Sequence, residues 1–337
     1  MNFKVKALLG AASLALMAGS ASAADLACLI TKNNTNPFFV KMKEGAEAAA
    51  AAAGLDFQAY AGEKDGDAAP QITAIENCVA AGAKGILITA SNDSVGPALK
   101  EARAAGILVI ALDTPLADAE AQDMTFATDN FEAGLRIGKW AAAQLGAEAA
   151  NAKIAMLDIN KDNISVDVAR DTGFLVGFGI EVPDLTVMGS ETDARVVGHE
   201  SSDANPEGGL RAMETLLAKD PDINVVYTIN EPAAEGAFQA LKAAGKEGQA
   251  LIVSVDGGCP GIASVKSGVI GATSQQYPLL MSGKGIEAIA AYAKDGTKPV
   301  ASEGLSFFNT GVNLVTDKPA EGVESIDSTK GTELCWG

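Results

Sequence analysis

Short apolar runs and alanine-rich segments alternate along the first third of the chain. The apolar runs predict strands over residues 26–30, 56–62, 85–89 and 107–113, and the alanine-rich segments predict helices over residues 37–53, 68–81 and 95–105. Such alternation is typical of right-handed βαβ units on a parallel sheet. The strands over 85–89 and 107–113 are apolar throughout, which is expected when helices cover both faces of a sheet.

The alternation restarts after a short run over residues 124–130 that ends in polar side chains. Here the pattern predicts strands over 153–158, 185–189, 224–229 and 251–256, and helices over 131–145, 165–179, 206–219 and 231–244. The tail adds helices over 260–267 and 279–294, a strand over 269–275 and a strand-like segment over 305–316. Because no Gly/Ser-rich or Pro-rich linker separates the halves, we predict an α/β protein with two doubly wound parallel-sheet lobes joined by short crossovers.

The first residues have the form of a secretory leader. Lys4 and Lys6 precede an apolar run over residues 7–17, and small residues then form a cleavage site after Ala23. The run is too short to remain as a membrane-spanning anchor. We therefore expect residues 1–23 to be a signal peptide and the protein to be exported to a bacterial periplasm.

Charge narrows the choice of partners. The 337-residue chain has a formal net charge of −18. It lacks the excess of Lys and Arg that nucleic-acid phosphates or anionic lipids require, so we predict neither partner.

Four cysteines, Cys28, Cys78, Cys259 and Cys335, are an even number in an exported chain, which makes disulfides plausible. Of the three possible connectivities we favour Cys28 with Cys78 and Cys259 with Cys335, because each pair joins elements expected to be neighbours. Free buried thiols are the alternative.

Polar side chains gather where the predicted strands end. Ligands of open α/β sheets bind at this edge. Carboxylates, amides and hydroxyls there, with one guanidinium on a following helix, suit a ligand with many hydroxyl groups, because each hydroxyl can donate to a carboxylate and accept from an amide or Arg. Any one of them could instead be a helix cap or a turn residue. The candidate ligand residues at this edge are Asn36, Thr89, Asp113, Thr128, Asn130, Arg170, Asn230, Asp256 and Gln276.

The start of the first long helix adds aromatic surface. Asn36 is placed to cap this helix and Pro37 occupies its first position. Phe38 and Phe39 follow, and such apolar area on a first turn is favourable only when it is covered. We expect Phe38 to stack against the C–H face of a sugar. Phe39 is also a candidate ligand residue, although it is the better candidate for the core.

An enzyme is the first alternative. The segment from Gly257 to Gly261 follows a strand and precedes a helix, and it carries Cys259 in the position of a nucleophile. Such a Cys hydrolase would need a base, and His199 is the only histidine in the chain. A disulfide between Cys259 and Cys335 would exclude this activity, and we predict that the protein is not an enzyme.

No cofactor or metal is predicted. The segment from Asp158 to Asn163 imitates the start of a calcium loop, but it lacks the glycine at the sixth position, and Ala169 stands where a bidentate Glu is needed. A single histidine argues against zinc chemistry, and the chain has no phosphate-binding glycine motif.

The chain resembles the type I periplasmic sugar-binding proteins of the ribose and galactose class, which capture substrates for ABC importers. The resemblance covers essentially the whole mature chain and rests on several motifs: Asn36-Pro37-Phe38-Phe39, Asp113 after ILVIAL, Thr128-Asp129-Asn130, Arg170-x-x-Gly173-Phe174, Asn230-Glu231, Asp256-Gly257 and Gln276-Tyr277-Pro278. It implies that Asn36, Phe38, Asp113, Thr128, Asn130, Arg170, Asn230, Asp256 and Gln276 line the sugar site.

The resemblance also implies the organisation of the chain. The chain would cross between lobes near Thr128, Gln276 and Asn309. An N-terminal lobe would then comprise residues 24–127 and 277–309, and a C-terminal lobe residues 128–276 and 310–337. The protein would be a monomer that presents its closed form to a membrane permease. A soluble sugar sensor that presents its closed form to a chemoreceptor is the alternative within this family.

Three positions depart from the ribose-type pattern. Thr114 stands where an Arg is usual, Thr89 stands where an amide is common, and Ala204 stands near the place of the second lobe's aromatic residue. These departures argue against ribose. The TNPFFVKMKEGA opening and the CWG ending are most similar to the fructose-binding subgroup, so fructose is the expected sugar.

Overall fold

The computed structural model describes residues 24–337; the predicted signal peptide lies outside this range. Strands and helices alternate along the described chain. The strands are β1 (Leu26–Thr31), β2 (Asp56–Ala61), β3 (Gly85–Ile88), β4 (Leu108–Leu112), β5 (Met124–Ala127), β6 (Ile154–Asp158), β7 (Val196–Ser201), β8 (Val225–Thr228), β9 (Leu251–Asp256), β10 (Ala272–Gln275), β11 (Phe308–Asn309) and β12 (Asn313–Val315). The helices are α1 (Pro37–Ala53), α2 (Ala69–Ala80), α3 (Gly96–Ala104), α4 (Asn130–Leu145), α5 (Ser165–Phe178), α6 (Pro206–Lys219), α7 (Glu231–Ala243), α8 (Cys259–Ser267), α9 (Pro278–Asp295) and α10 (Ser328–Leu334).

The strands form two six-stranded sheets. The order in the first sheet is β11-β5-β4-β3-β1-β2, and the order in the second is β12-β10-β9-β8-β6-β7. Neighbouring strands are parallel throughout, except that β12 runs antiparallel to β10. This arrangement confirms the predicted fold of two doubly wound lobes.

The chain passes between the sheets three times. It leaves the first sheet after β5, returns after β10, and passes again between β11 and β12. The last crossing corrects the prediction of a single strand-like segment over residues 305–316, which is split into two short strands in different sheets. The crossings bring the carboxyl ends of both sets of strands toward a common region.

The start of α1 follows the predicted capping pattern. The Asn36 side chain accepts a hydrogen bond from the backbone N–H of Phe38, and Pro37 occupies the first turn. Gly54 ends the helix in the left-handed conformation with φ of 69°, which costs glycine little because it has no Cβ. The capped turn fixes where Phe38 and Phe39 enter the space between the lobes.

Helices α4 and α5 pack backbone against backbone. A Cβ atom on Gly134 would lie 2.0 Å from the carbonyl oxygen of Arg170, and one on Gly173 would lie 2.2 Å from that of Phe131. Glycine is therefore required at this contact, since any side chain would push the helices apart. The close approach holds Arg170 beside the start of α4.

One predicted strand was wrong. Residues 185–189 form turns, and the strand at this edge of the second sheet is β7, Val196–Ser201. Leu185 and Val187 are 49% and 39% exposed. The strand β7 is half-buried along its length and includes His199 and Glu200, so it lacks the continuous apolar run that predicted the other strands.

Both disulfides have the favoured connectivity. Cys28 on β1 pairs with Cys78 on α2, and Cys259 at the start of α8 pairs with Cys335 near the end of the chain. No helix among residues 24–337 is both long and apolar enough to cross a bilayer.

Candidate functional site

A partly open cavity of about 340 Å³, including open solvent, lies between the two lobes. Both lobes contribute to its walls, and most of the predicted ligand residues are among them. The lining residues are Lys32, Asn36, Phe38, Phe39, Asp65, Asp113, Ile159, Val166, Arg170, Ala204, Ile229, Asn230, Asp256 and Gln276.

Arg170 provides the positive charge of the second lobe's wall. Its side chain is about 5% exposed, and it donates hydrogen bonds from Nε to Asn130 Oδ1 (2.7 Å) and from Nη1 to the carbonyl oxygen of Ile229 (3.1 Å). Its Nη2 lies 3.6 Å from Asp113 Oδ1, and its Nη1 lies 3.9 Å from Asp256 Oδ1. The guanidinium is therefore fixed between two carboxylates, at distances longer than direct hydrogen bonds.

Two buried acceptors on the cavity wall have no donor in the described chain. These are Asp113 Oδ1 and Gln276 Oε1. The other carboxylate oxygen of Asp113 accepts from Thr114 Oγ1 at 2.9 Å, and Gln276 Nε2 donates to Asp256 Oδ1 at 2.8 Å. A buried acceptor without a partner costs free energy, so each favours a ligand that brings a hydroxyl donor.

Asp113 is held in an unusual backbone conformation. Its φ is +62°, in the left-handed region that Asp and Asn tolerate better than other non-glycine residues. The residue follows β4 directly, and its N–H donates to the carbonyl oxygen of Phe126 on β5. This tight turn projects the carboxylate of Asp113 into the cavity.

Asp256 lies on the opposite wall, beside a second buried acid. Burial raises the pKa of Asp256 to about 7, although Arg170 and Gln276 act in the other direction. Burial, with the nearby charge of Asp256, raises the pKa of Glu231 to about 8. Glu231 accepts hydrogen bonds from the N–H groups of Gly257 and Gly258 and from Thr273 Oγ1, and it thereby holds the turn after Asp256 in place.

Two asparagines on the wall are also helix caps. Asn36 caps α1, and Asn230 Oδ1 accepts from the N–H of Ala233 at the start of α7. Asn230 Nδ2 donates to the carbonyl oxygen of Ala204 at 3.1 Å. A side-chain amide has further donor and acceptor capacity beyond these bonds. Helix capping and exposure to the cavity thus coexist at both positions.

Three aromatic rings form an apolar face. Phe38 and Phe39 both line the cavity and are 4% and 5% exposed. Phe38 packs edge-on against Phe39 and against Trp336, with ring centroids 5.5 Å apart in each pair. Trp336 Nε1 donates to the carbonyl oxygen of Gln276 at 2.7 Å. Trp336 was not predicted to lie near the site, because it is far along the chain from any predicted strand end.

Lys32 lines the cavity and was not predicted from the sequence. It follows β1 directly and is only 2% exposed, with its N–H donating to Thr89 Oγ1. Its position at a strand end is the same signal that predicted the other ligand residues. Ile159, Val166 and Ala204 also line the cavity; their apolar side chains carried no signal of a site.

Three predicted site residues lie off the cavity wall. Thr89 lies behind Lys32, and its carbonyl oxygen accepts from Gln71 Nε2. Thr128 follows β5, where its Oγ1 donates to the carbonyl oxygen of Gly311 at 3.4 Å. Asn130 orients Arg170 instead of lining the cavity. In this structure the three side chains support lining residues or the crossing, and their direct contact with a ligand stays a prediction.

A larger groove adjoins the cavity. It measures about 1080 Å³ including open solvent, shares Asn36 and Asp256 with the cavity, and is also lined by Phe238 and Trp336. Its walls lack the cluster of Arg170, Asp113 and Gln276 that defines the cavity. We therefore take the smaller, more polar cavity as the candidate binding site.

The Cys259–Cys335 disulfide argues against the alternative function of a Cys hydrolase. Cys259 is bonded to Cys335, so it offers no thiolate for nucleophilic attack. The Cys hydrolase is excluded for the protein in this oxidised form.

Comparison with known proteins gives one family. A family model described as a periplasmic binding protein domain matches residues 27–298. The ribose import binding protein of Haemophilus influenzae is 32% identical over 285 residues, which cover 84% of this chain and 91% of that protein. The D-allose-binding periplasmic protein of Escherichia coli is 28% identical over 304 residues, with 88% and 93% covered.

Solved structures agree at the level of fold. An ABC transporter periplasmic solute binding protein from Actinobacillus succinogenes with bound D-allose has a TM-score of 0.74 and 23% identity, covering 92% of this chain and 99% of that one. A solute binding protein from Agrobacterium vitis bound with α-D-tagatopyranose has a TM-score of 0.75 and 20% identity, covering 93% and 99%. The chain belongs to the periplasmic binding protein family and has the type I fold.

Proposed function

We propose that this protein is the substrate-binding component of an ABC sugar importer and that it captures one monosaccharide in the cavity between its lobes. The observation that carries the proposal is the pair of buried acceptors without donors, Asp113 Oδ1 and Gln276 Oε1, beside the Arg170 guanidinium. A sugar offers several hydroxyl groups within a few ångströms of each other, and each can donate to one group and accept from another. The relatives named for ribose and allose support the same class of ligand.

The mechanism follows from the division of the site between lobes. Asn36, Phe38 and Asp113 belong to the part of the chain that forms the first sheet, whereas Arg170, Asn230 and Asp256 belong to the part that forms the second. A sugar bound to one lobe gains hydrogen bonds from the other only after closure. Binding therefore favours the closed state by its differential affinity for the two states.

The moving units in this proposal are residues 24–127 with 277–309 and residues 128–276 with 310–337. The crossings after β5, after β10 and between β11 and β12 form the hinge. Trp336 belongs to the second of these units but packs on Phe38 of the first. Closure creates the surface that a membrane permease recognises.

Fructose is the first sugar to test. The proposal rests on the resemblance of the opening and closing segments to the fructose-binding subgroup. Two features of the cavity are consistent with a ligand other than ribose: Thr114 bonds to Asp113 where an Arg is usual, and Ala204 offers no ring. Lys32 adds a cation on the first lobe's wall, which supplies a donor for an additional hydroxyl oxygen.

The ligand is released unchanged in this account. The cavity holds fixed hydrogen-bonding groups and stacking rings, and Cys259 is oxidised. Export through the signal peptide, a monomeric state and recognition by a permease or a chemoreceptor stay predictions.

Titration against a panel of sugars tests the proposal. The panel contains fructose, ribose, allose, galactose and glucose, and the thermal midpoint of the purified protein is followed as sugar is added. A ligand that binds only the folded state raises this midpoint in proportion to the logarithm of its concentration above Kd. A flat response to every sugar would contradict the proposal, and a response to ribose but not fructose would overturn the choice of sugar.

A further inference from the structure

Behind the cavity wall, three elements of the second lobe bring an acidic and imidazole cluster together. Asp158 ends β6, Asp171 lies within α5, and His199 lies on β7. One ligand atom from each lies within 4.8 Å of the others. His199 Nδ1 lies 2.9 Å from Asp158 Oδ2 and 3.4 Å from Asp171 Oδ2. We call these three residues the β6–α5–β7 cluster.

The carboxylate of Asp171 is the clearest sign that the cluster accommodates a further ligand. Asp171 is wholly buried, and neither of its oxygens receives a hydrogen bond from any residue in the range 24–337. Asp158 Oδ1 and the hydroxyl of Tyr227, both inaccessible to solvent, are likewise unpaired there. Unpaired groups at this density are rare in folded proteins and call for a specific cause.

Acidic groups outnumber basic groups around the cluster. Asp167 and Glu191 add two more carboxylates, and Glu191 Oε1 lies 2.9 Å from His199 Nε2. Four acidic groups thus lie near two basic groups of the described residues, His199 and Arg170. A bound cation would offset this excess of acidic groups.

We propose that Asp158, Asp171 and His199 bind one divalent first-row transition-metal ion, for which Zn²⁺ is the probe. Two carboxylates and an imidazole suit such ions, whereas Ca²⁺ and Mg²⁺ take oxygen ligands alone. Tetrahedral coordination at roughly 2.0–2.2 Å places neighbouring donors roughly 3.4 Å apart. The observed separations of 2.9 and 3.4 Å need only small side-chain movements to reach this geometry.

The cluster has a route to solvent. A surface pocket of about 610 Å³, including open solvent, is lined by Asp158, His199, Asn160 and Asn163. The pocket reaches two of the three proposed ligands, Asp158 and His199, from solvent, whereas Asp171 lies behind them. Glu191 on the far side of the imidazole is a carboxylate partner of the kind that commonly orients a ligating histidine.

A metal ion at the cluster would stabilise the wall of the sugar cavity from behind. Asp171 follows Arg170, and Asp158 precedes Ile159; both Arg170 and Ile159 line the cavity. An ion held by the cluster would join the end of β6 to α5 and β7, and so fix this wall. Metal binding at the cluster does not depend on the proposed sugar function, because none of the three ligands lines the cavity.

Calorimetric titration with Zn²⁺ tests the proposal. The full chain is stripped with a chelator, dialysed and titrated in the absence of sugar. We expect one Zn²⁺ per chain, a higher thermal midpoint, and an X-ray absorption spectrum with one imidazole among oxygen or nitrogen ligands. Asp171→Asn and His199→Gln should each weaken Zn²⁺ binding at least about tenfold. Asp171→Asn replaces a buried carboxylate by an amide of equal size, so this variant should fold. Circular dichroism without metal verifies its folding.

Two controls separate the cluster from other sites. Asp203→Asn removes an exposed carboxylate that pairs with Arg211, and Asp113→Asn alters the sugar cavity; both should bind Zn²⁺ as the unaltered protein does. Absence of Zn²⁺ binding, or equal binding by Asp171→Asn and His199→Gln, would overturn the proposal. Stabilisation by Ca²⁺ as large as that by Zn²⁺ would overturn the assignment to a transition-metal ion.

Discussion

Asn130 accepts a hydrogen bond of 2.7 Å from Arg170 Nε. Asn130 is the first residue of α4, directly after the first crossing, whereas Arg170 is on α5 and lines the cavity. The bond thus joins the crossing segment to the charged group at the centre of the site. The close packing of Gly134 on the Arg170 carbonyl holds the two helices in this arrangement.

Asn130→Ala should weaken sugar binding although Asn130 does not line the cavity. The substitution leaves Arg170 Nε without its acceptor and frees the guanidinium to turn away, which we expect to cost about 1–3 kcal/mol of binding free energy. Calorimetric titration of the sugar measures this loss. Glu132→Ala is the matched control, since Glu132 lies on the same helix and its side chain pairs with Arg136 and is absent from the cavity wall. Equal losses in both variants would contradict the positioning role.

Asp113→Asn should abolish most of the affinity and leave the fold intact. Asn tolerates the positive φ of this position, whereas Ala there adds backbone strain of about 1–2 kcal/mol. The lost carboxylate is a buried acceptor beside Arg170, and such a change costs about 2–5 kcal/mol of binding. Circular dichroism and the thermal midpoint without sugar verify folding. Unchanged affinity in a folded variant would remove Asp113 from the site.

The sugar-free protein should lose stability as pH rises from about 4 to 7 through ionisation of Asp256. The folded pKa of Asp256, about 7, exceeds the value of 3.8 for an exposed Asp, so the folded state binds this proton more tightly than the unfolded state does. The stabilisation of the folded state by this proton is complete only below about pH 4. The slope from one group is at most about 1.4 kcal/mol per pH unit. Asp256→Asn should therefore become more stable relative to the unaltered protein as pH rises across this window.

Denaturant unfolding of both proteins at several pH values measures that difference. Above pH 7 the carboxyl group is ionised in both states, and the difference should stop growing. A difference that is constant from pH 4 to 7 would show that Asp256 does not titrate with a raised pKa.

The two disulfides should have different roles. The Cys28–Cys78 bond joins β1 to α2 within the first lobe, and its loss by double Cys→Ser substitution should lower the free energy of unfolding by about 2–5 kcal/mol. The Cys259–Cys335 bond tethers the segment that carries Trp336, which packs on Phe38. Its loss should reduce sugar affinity as well, because the aromatic face becomes mobile. Sugar affinity equally affected by both changes would contradict this division.

The strands and helices with strong patterns were predictable from the sequence. The strands β3 and β4 are wholly buried and apolar, and α1 carries its cap and proline in the sequence. The edge strand β7 was not predictable in this way, because its residues are only half-buried and follow no apolar alternation. Because the strand was predicted over residues 185–189, His199 was not expected in the sheet or near Asp158.

The site was predictable where a residue follows a strand. Asp113, Asp256 and Gln276 come directly at strand ends, and all three line the cavity. Thr89 also follows a strand directly, and Asn130 lies three residues after β5, but these two side chains support Lys32 and Arg170 from behind. Local sequence cannot distinguish these two outcomes, since the difference depends on which neighbour occupies the wall. Trp336 reaches the site only through the fold of the last residues.

Calorimetric titration of fructose and other monosaccharides into the unaltered protein and into Asp113→Asn tests the central claim most directly. We predict that one sugar binds the unaltered protein at one molecule per chain, with Kd of about 1 μM or lower, and that the variant binds it at least about 30-fold more weakly. Failure of every monosaccharide to bind, or equal binding by a folded Asp113→Asn variant, would contradict a sugar site between the lobes.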